Sequence, residues 1–436
     1  MPVDAASVAA VDAARRSLAT QTGVGNEPPV GRAGDVRPLA DGYTFAALPA
    51  TVERLLLGRD DGGLPAGALG AAPPRAERVV LVLLDAFGWR FFDRHAARHP
   101  LLRRFLDEGT VAKLTTQFPS ATPAHVTTLH TGRPVAEHGL YEWNLYEPSL
   151  DALVTPLMFS FAGDASRDTL RQADADPRVL YPTRTLYRRL TDEGVRCVAF
   201  QPASFAPSTY DGVALDGADL RPYETLDDAF AGLADALRAS GAPVYAYVYI
   251  DTLDAVGHQH GPSSTEFDAE ATRCIDAIER ALRTLPAGTL VLLTGDHGQV
   301  DVDPGRTRFV NHLWPGIRAH LRHDRRGRPL APAGSARDLF LHTAPGDRDH
   351  VVAVLRDLLG DGAEVRATED LVAEGLFPAP PGPRLRERLG DVCVLPAPGE
   401  TVWWRERGRF GMRFRGHHGG LTSDEAHTHV ASLVVP

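Results

Sequence analysis

From Arg78 onward the chain alternates between uniformly apolar runs and stretches with helical spacing. RVVLVLL (78–84) is a continuous apolar run rich in β-branched residues. That is the pattern of a strand covered on both faces. Further strands are predicted at VAKLTT (111–116), VRCVAF (195–200), VYAYVYI (244–250), TLVLLT (289–294) and HVASLVVP (429–436). Helical spacing is predicted after the first strand, over PAHVTTLHTG (123–132), over PTRTLYRRLTDEG (182–194) and over residues 225–240. Ser263 and Glu266 form a capping-box pattern that opens a helix to about Leu285. This strand–helix alternation predicts an α/β fold, a mostly parallel sheet with helices on both faces.

Outside that stretch the texture changes. Residues 1–40 are rich in Ala, Gly and Pro and read as a helix over 5–20 followed by a loose arm. FAALPATVERLLLG (45–58) has helical spacing, and GGLPAGALGAAPPRAE (62–77) is punctuation. From about Pro304 to Phe410 Pro and Arg rise and the periods shorten. The expected organisation is an N-terminal arm and helix (1–75), an α/β core (76–303), a smaller inserted cap subdomain (304–410) and a completion of the core (411–436).

Composition narrows the class. The chain has 436 residues, 43% hydrophobic and 23% charged, which are globular values. Its formal charge of −10 makes it a poor duplex-DNA binder, so no nucleic-acid duplex is expected as partner. Three cysteines without a CxxC exclude a disulfide scaffold and a thiolate zinc cluster. A transition metal would therefore be held by carboxylates and by some of the 17 histidines. The N-terminal segment carries acids and arginines instead of an apolar run, and no stretch reaches the ~18 apolar residues of a membrane span. A cytoplasmic protein without a membrane partner is expected.

In open α/β sheets ligands bind beyond the carboxyl ends of the strands. Asp85 follows the first strand, and Asp251, Asp254 and His258 follow VYAYVYI in IDTLDAVGHQHG. Asp296 and His297 follow TLVLLT in TGDHGQ, and His417 and His418 precede the last strand in GHHGG. Each alone reads as a helix cap, a turn or a surface pair. Taken together, in the order D, DxxxH, DH, H, they are oxygen and imidazole ligands suited to zinc or manganese. FPSATPAHVTTLHTG (118–132) presents small hydroxyls just before a helix. Thr122 is the expected N-cap and Pro123 the first helical residue. A hydroxyl there faces the positive end of the helix, a phosphate site, and metal coordination would activate it as a nucleophile. Ser120 is the rival nucleophile by residue type.

These segments resemble the alkaline phosphatase superfamily, and within it the nucleotide pyrophosphatase/phosphodiesterase (type I phosphodiesterase) family. LLDAFGW, PSATPAHVTTLHTG, AEHGL, DAVGHQHGP, GDHGQ and HHGG occur in family order, over roughly residues 78–303 and 411–436. The resemblance implies an alkaline-phosphatase-like fold and two divalent metal ions, zinc or alternatively manganese. One would be held by Asp254, His258 and His418, the other by Asp85, Asp296, His297 and the Thr122 oxygen. Thr122 would attack phosphorus to form a phospho-threonine, and the first metal would activate the water that releases it. His418 is chosen over His417 because Gly-Gly follows it. Asp251 would support the site from behind the ligands. His260 and His138 match recurrent family positions without being ligands.

Ungapped counting puts Trp143 where the family carries an Asn that bonds a phosphate oxygen. Asn144, one residue later, fills that catalytic role if the YEWNLYEP loop is offset. His125 stands where nucleotide pyrophosphatases often show Asn. Trp143, Tyr141, Phe87, Trp89 and Tyr210 are the possible aromatic walls. The sulfatase signature is absent, and no Arg directly follows Thr122, the first being Arg133. The expected activity is hydrolysis of a phosphodiester or phosphoanhydride in a small phosphate ester or nucleotide. The alternatives are a phosphomonoesterase or phosphonate hydrolase on the same fold and, more remotely, a non-catalytic phosphate-ligand binding protein.

Overall fold

The computed structural model describes residues 32, 34–40, 42–59, 62–70, 72–377, 379–406 and 408–436. The helix expected over 5–20 lies outside them. Among the described residues a seven-stranded sheet forms from β1 (Arg78–Leu84), β2 (Thr110–Thr115), β3 (Arg196–Pro202), β4 (Asp219–Tyr223), β5 (Val244–Ile250), β6 (Leu290–Thr294) and β7 (His427–Val434). The spatial order is β2-β7-β6-β1-β5-β3-β4. β1, β3, β4, β5 and β6 pair in parallel, and β7 runs antiparallel to both β6 and β2. The expected mostly parallel α/β architecture is therefore present.

Side chains of β1 alternate between two cores. Val79, Leu81 and Leu83 pack with helix α1 (Leu48–Leu57), the long helix α3 (Thr122–Thr131) and the helix Leu186–Asp192. Val80, Val82 and Leu84 pack with α2 (Trp89–Ala96), α4 (Leu226–Arg238) and α6 (Thr265–Leu282). Burial on both faces is why these strands read as unbroken apolar runs. β4 was not predicted, because DLRPY is a partly exposed edge strand with no apolar run. The α6 cap also differs from expectation. Ser264, not Ser263, caps the helix, its hydroxyl accepting from the Phe267 N–H at 3.2 Å, while the Ser263 hydroxyl donates to Asp301. Nor is the arm loose to its end. Val36 is buried, with its N–H 2.7 Å from the Leu421 carbonyl, and the Leu39 N–H donates to Thr115 Oγ1 at 3.1 Å.

Residues 304–410 contain a four-stranded antiparallel sheet in the order Ala333–Gly334, Leu339–Leu341, Val392–Pro396, Ala363–Ala367. One face, including Leu339, Leu341, Val392 and Val394, packs on Val351 and Leu355 of the helix Arg348–Leu359. The other face, through Phe340, Cys393 and Leu395, joins the same core as β1 and α3. A small antiparallel sheet that the sequence pattern did not announce (Leu145–Glu147, Ala152–Thr155, Ser160–Phe161) completes the rim.

A fully buried ion pair fastens the inserted sheet to the loop before β7. Arg337 Nε and Nη2 donate to the two Glu425 oxygens at 2.9 and 2.8 Å. Glu425 also accepts from the Gly420 N–H at 3.0 Å and the Thr422 hydroxyl at 2.6 Å. Burial alone would raise the Glu425 carboxyl, but the Arg337 charge outweighs it and holds the carboxyl low. Breaking one side of a buried pair leaves an uncompensated charge, which costs about 3–5 kcal/mol. Glu425→Ala should lower the unfolding free energy by that amount, read as a lower urea midpoint at an unchanged slope. A shift below ~1 kcal/mol would show that water replaces the lost partner.

Candidate metal centre and active site

The register of the sheet sets the site. Leu84 of β1 lies beside Ile250 of β5, and Leu83 lies beside Thr294 of β6. The chain therefore emerges at one edge with Asp85, Asp251 and Asp296 side by side. Helix α5 (Thr252–His260) follows β5 and carries Asp254 and His258 one turn apart, with His258 Nε2 3.3 Å from Asp254 Oδ2. His418 enters from the loop before β7, its Nε2 3.7 Å from Asp254 Oδ1. Asp254, His258 and His418 each offer a ligand atom within 4.8 Å of the others. So do Asp85, Asp254 and His297. Asp296 joins the second group through His297 Nε2, which lies 3.4 Å from Asp296 Oδ2 and 3.4 Å from Asp85 Oδ1. Asp254 thus stands between the two groups.

Thr122 is the first residue of α3, and Ala121, not Thr122, is its N-cap. Its hydroxyl is consequently not spent on capping. Oγ1 lies 3.1 Å from His297 Nε2 and 3.5 Å from Asp85 Oδ2. The rival, Ser120, is turned away: its hydroxyl donates to the Gly420 carbonyl at 2.9 Å and meets Thr116 Oγ1 at 3.0 Å.

The three imidazoles share one orientation. His258 Nδ1 lies 2.8 Å from the Gly416 carbonyl, His418 Nδ1 2.9 Å from the Ser120 carbonyl and His297 Nδ1 3.0 Å from the Gly298 carbonyl. A carbonyl accepts only an N–H, so each ring carries a proton on Nδ1 and turns Nε2 into the site. Two carboxylate oxygens, Asp85 Oδ1 and Asp296 Oδ2, are buried without a hydrogen-bond partner. The second Asp296 oxygen is committed to the Ala86 and His297 N–H groups at 3.1 and 3.0 Å. Inward lone pairs on nitrogen and orphaned carboxylate oxygens are the donor set of a divalent cation, so these residues fit the expected metals.

The electrostatics lead to the same place. Burial, then the nearby Asp296 and Asp254 charges, push the Asp85 carboxyl well above the usual range. Burial and the Asp254 charge also push Asp296 up to about 7. Burial would raise Asp254 as well, but the surrounding imidazoles, His258 first, outweigh it and hold it low. Burial lowers His297 and His418, keeping these rings neutral as ligands must be.

Asn144 lines a cavity of about 410 Å³ together with Thr122, its Oδ1 accepting from Thr155 Oγ1 at 2.9 Å. Trp143 and Tyr210 are cavity walls, but Phe87, Trp89 and Tyr141 are not. Phe87 and Trp89 pack around Phe92, and the Tyr141 hydroxyl donates to the Arg388 carbonyl. Asp251 is the N-cap of α5 and lines a second cavity, of about 220 Å³. His125 is structural, held between the Ala121 carbonyl and the Gln117 N–H. His138 is likewise bonded to Thr128 Oγ1 and the Leu140 N–H. His417 bonds the His418 carbonyl through Nδ1 and is outside both ligand groups.

Two positioning residues escaped the sequence reading. The Tyr249 hydroxyl donates to Asp85 Oδ2. Gln299 Nε2 donates to Asp254 Oδ1 at 2.5 Å and to its carbonyl at 3.2 Å. Gln299 reaches Asp254 because Gly257 leaves room: a Cβ there would stand 2.1 Å from the Gln299 amide oxygen. Tyr249 carries one signal, the Tyr245-Tyr247-Tyr249 alternation on one face of β5, and Gln299 another, its place directly after DHG.

A family model described as type I phosphodiesterase / nucleotide pyrophosphatase matches residues 79–421. Venom phosphodiesterase 2 of Crotalus adamanteus is 20% identical over 252 residues, 55% of this chain and 29% of that protein. The chain thus matches less than a third of the length of this curated relative. Human ectonucleotide pyrophosphatase/phosphodiesterase 5 superposes with a TM-score of 0.61 at 16% identity, over 81% of this chain and 87% of that one. An inactive threonine-to-alanine variant of the murine protein, solved in complex with AMP, gives 0.60 at 15% identity, with the same coverage. Phosphonoacetate hydrolase from Sinorhizobium meliloti 1021, in complex with phosphonoformate, gives 0.58 at 18%, over 81% of this chain and 89% of that one. These structural likenesses establish the fold.

Two outcomes follow from the ligand geometry. A carboxyl whose pKa is raised on folding binds more protons in the folded state, so stability declines as pH rises from the unfolded to the folded value. In EDTA, Asp296→Asn should therefore be more stable than wild type at pH 7.5, by a few kcal/mol, with the gap closing below about pH 4. Comparing the two proteins cancels the opposing contribution of the buried histidines, and an equal gap at both pH values would contradict the assignment. Asp254→Asn, which removes a carboxylate from the Asp254, His258 and His418 group, should lower the divalent-metal content relative to wild type by metal analysis. An unchanged content would remove Asp254 from the ligand set.

Proposed function

The chain belongs to the type I phosphodiesterase / nucleotide pyrophosphatase family, and on that premise we propose that it is a two-metal hydrolase of phosphodiester or phosphoanhydride bonds that works through a phospho-threonine. The observation that carries this reading is the placement of Thr122 Oγ1. It sits at the positive end of a ten-residue helix, 3.1 Å from His297 Nε2, and borders both cavities.

Two divalent ions, zinc by the chemistry of the donors, would be held by Asp254, His258 and His418 and by Asp85, Asp296 and His297, and would offset charge on the attacking and departing oxygens. The remaining steps belong to the chain. Thr122 Oγ1 gives up its proton toward the Asp85 and His297 side and bonds phosphorus. The bond from phosphorus to the leaving oxygen breaks, and that oxygen takes up a proton. Water then attacks phosphorus, the Oγ1–phosphorus bond breaks, and Thr122 regains its proton as a phosphate monoester departs. The Asn144 side chain borders the cavity with Thr122, and we assign it to a non-bridging phosphate oxygen. Tyr249 and Gln299 hold Asp85 and Asp254 in place.

A diester is favoured over a monoester because no cation follows the nucleophile. Arg133, the first arginine after Thr122, pairs with Glu137 at the surface instead. A dianionic monoester would call for such a group. Zinc-loaded protein should hydrolyse bis(p-nitrophenyl) phosphate faster than p-nitrophenyl phosphate, and Thr122→Ala should lose at least about 10³-fold in kcat. Activity of Thr122→Ala within tenfold of wild type would end the nucleophile assignment. A monoester preference would turn the reading to phosphomonoesters.

A further inference from the structure

Two cavities meet at Thr122 and differ in chemistry. The smaller is bordered by Asp85 and Asp254 and contains Arg167 and Gln201, whose buried Oε1 has no hydrogen-bond partner. The larger is bordered by Asp254, His258 and His418. Thr122, Trp143 and Asp254 border both cavities.

In-line displacement puts the attacking and departing oxygens on opposite sides of phosphorus. Thr122 Oγ1 lies on the Asp85–His297 side. The departing oxygen therefore leaves toward Asp254, His258 and His418, into the larger cavity. Much of that cavity's lining is carbon and sulfur, from Trp143, Met158, Trp403, Phe410, Met412 and Phe414. The chain has three methionines, and the two beyond Met1 are both here. Methionine and aromatic side chains together make an adaptable apolar wall. Trp143 and Phe414 are 43% and 44% exposed at its mouth, and the Phe414 ring lies 4.3 Å from the His258 ring. Among the described residues no Lys or Arg lines the cavity, whereas Glu142 and Asp164 do.

Beyond the metal ion proposed at Asp254, His258 and His418, a pyrophosphate or nucleotide leaving group would bring several negative charges against Glu142 and Asp164 with no Lys or Arg to offset them. We propose, resting on the hydrolase reading above, that the leaving group is an alcohol or phenol with an apolar body, aromatic or alkyl, seated in this cavity. The substrate is accordingly a phosphodiester and not a phosphoanhydride. The group retained on phosphorus occupies the smaller, Arg167-bearing cavity.

The test uses two compounds with the same retained group, the p-nitrophenyl ester of thymidine 5′-monophosphate and thymidine 5′-triphosphate. Met412→Lys should lower the ratio of kcat/KM for the ester over that for the triphosphate at least tenfold, Phe414→Ala severalfold, and Met412→Leu less than twofold. In the Thr122→Ala background, quenching of tryptophan fluorescence reads binding without turnover. There Met412→Lys should raise the Kd of the ester about tenfold relative to that of the triphosphate. An unchanged ratio in both measurements would overturn the proposal. If zinc-loaded wild type turns over neither compound the hydrolase reading fails, and the binding ratio still decides what the cavity prefers.

Discussion

Three carboxylates converge at one edge of the sheet: Asp85 and Asp296, buried just past two adjacent strands, and the partly exposed Asp254 on the helix that follows a third. Like charges at that range in a dry site cannot all stay ionised on their own, and here Asp85 and Asp296 are driven toward the protonated form. Positive charge placed between them removes the conflict. Much of the surrounding structure can be understood as holding this arrangement. Backbone carbonyls of Gly416, Ser120 and Gly298 fix the three rings so that only Nε2 faces inward. Tyr249 and Gln299 hold two of the carboxylates. The buried Arg337–Glu425 pair anchors the loop that delivers His418.

The central strands were legible because they are covered on both faces and so appear as unbroken apolar runs. The partly exposed edge strand Asp219–Tyr223 and the small sheet over 145–161 lack that signature, since their pairing comes from tertiary packing. Helix boundaries shifted by one residue at Thr122 and Ser264: Ser263 and Ser264 can each cap, whereas the helix at Thr122 starts after Ala121 with no side-chain cap. The shift at Thr122 has a chemical consequence, since an uncommitted hydroxyl is what a nucleophile requires.

The Asp and His residues that the structure brings together were legible as an ordered set, although each is ambiguous alone, because strand ends converge by construction in a parallel sheet. Of the two adjacent histidines, His418 turns Nε2 toward Asp254, and His417 Nδ1 bonds the His418 carbonyl. The supporting residues were not legible. Tyr249 acts through its register beside Leu83, and Gln299 acts through the space left by Gly257. The substrate side was harder still. Trp403, Phe410, Met412 and Phe414 lie where no motif guides the eye, yet they wall the cavity next to the ligands.

The most direct test of this account is anomalous diffraction from crystals of the zinc-loaded protein, with data on both sides of the zinc edge. The account predicts two peaks, one among Asp254, His258 and His418 and the other among Asp85, Asp296 and His297, with Thr122 Oγ1 beside the second. Well-ordered ligand side chains with no peak among them, or zinc bound only elsewhere on the surface, would contradict it.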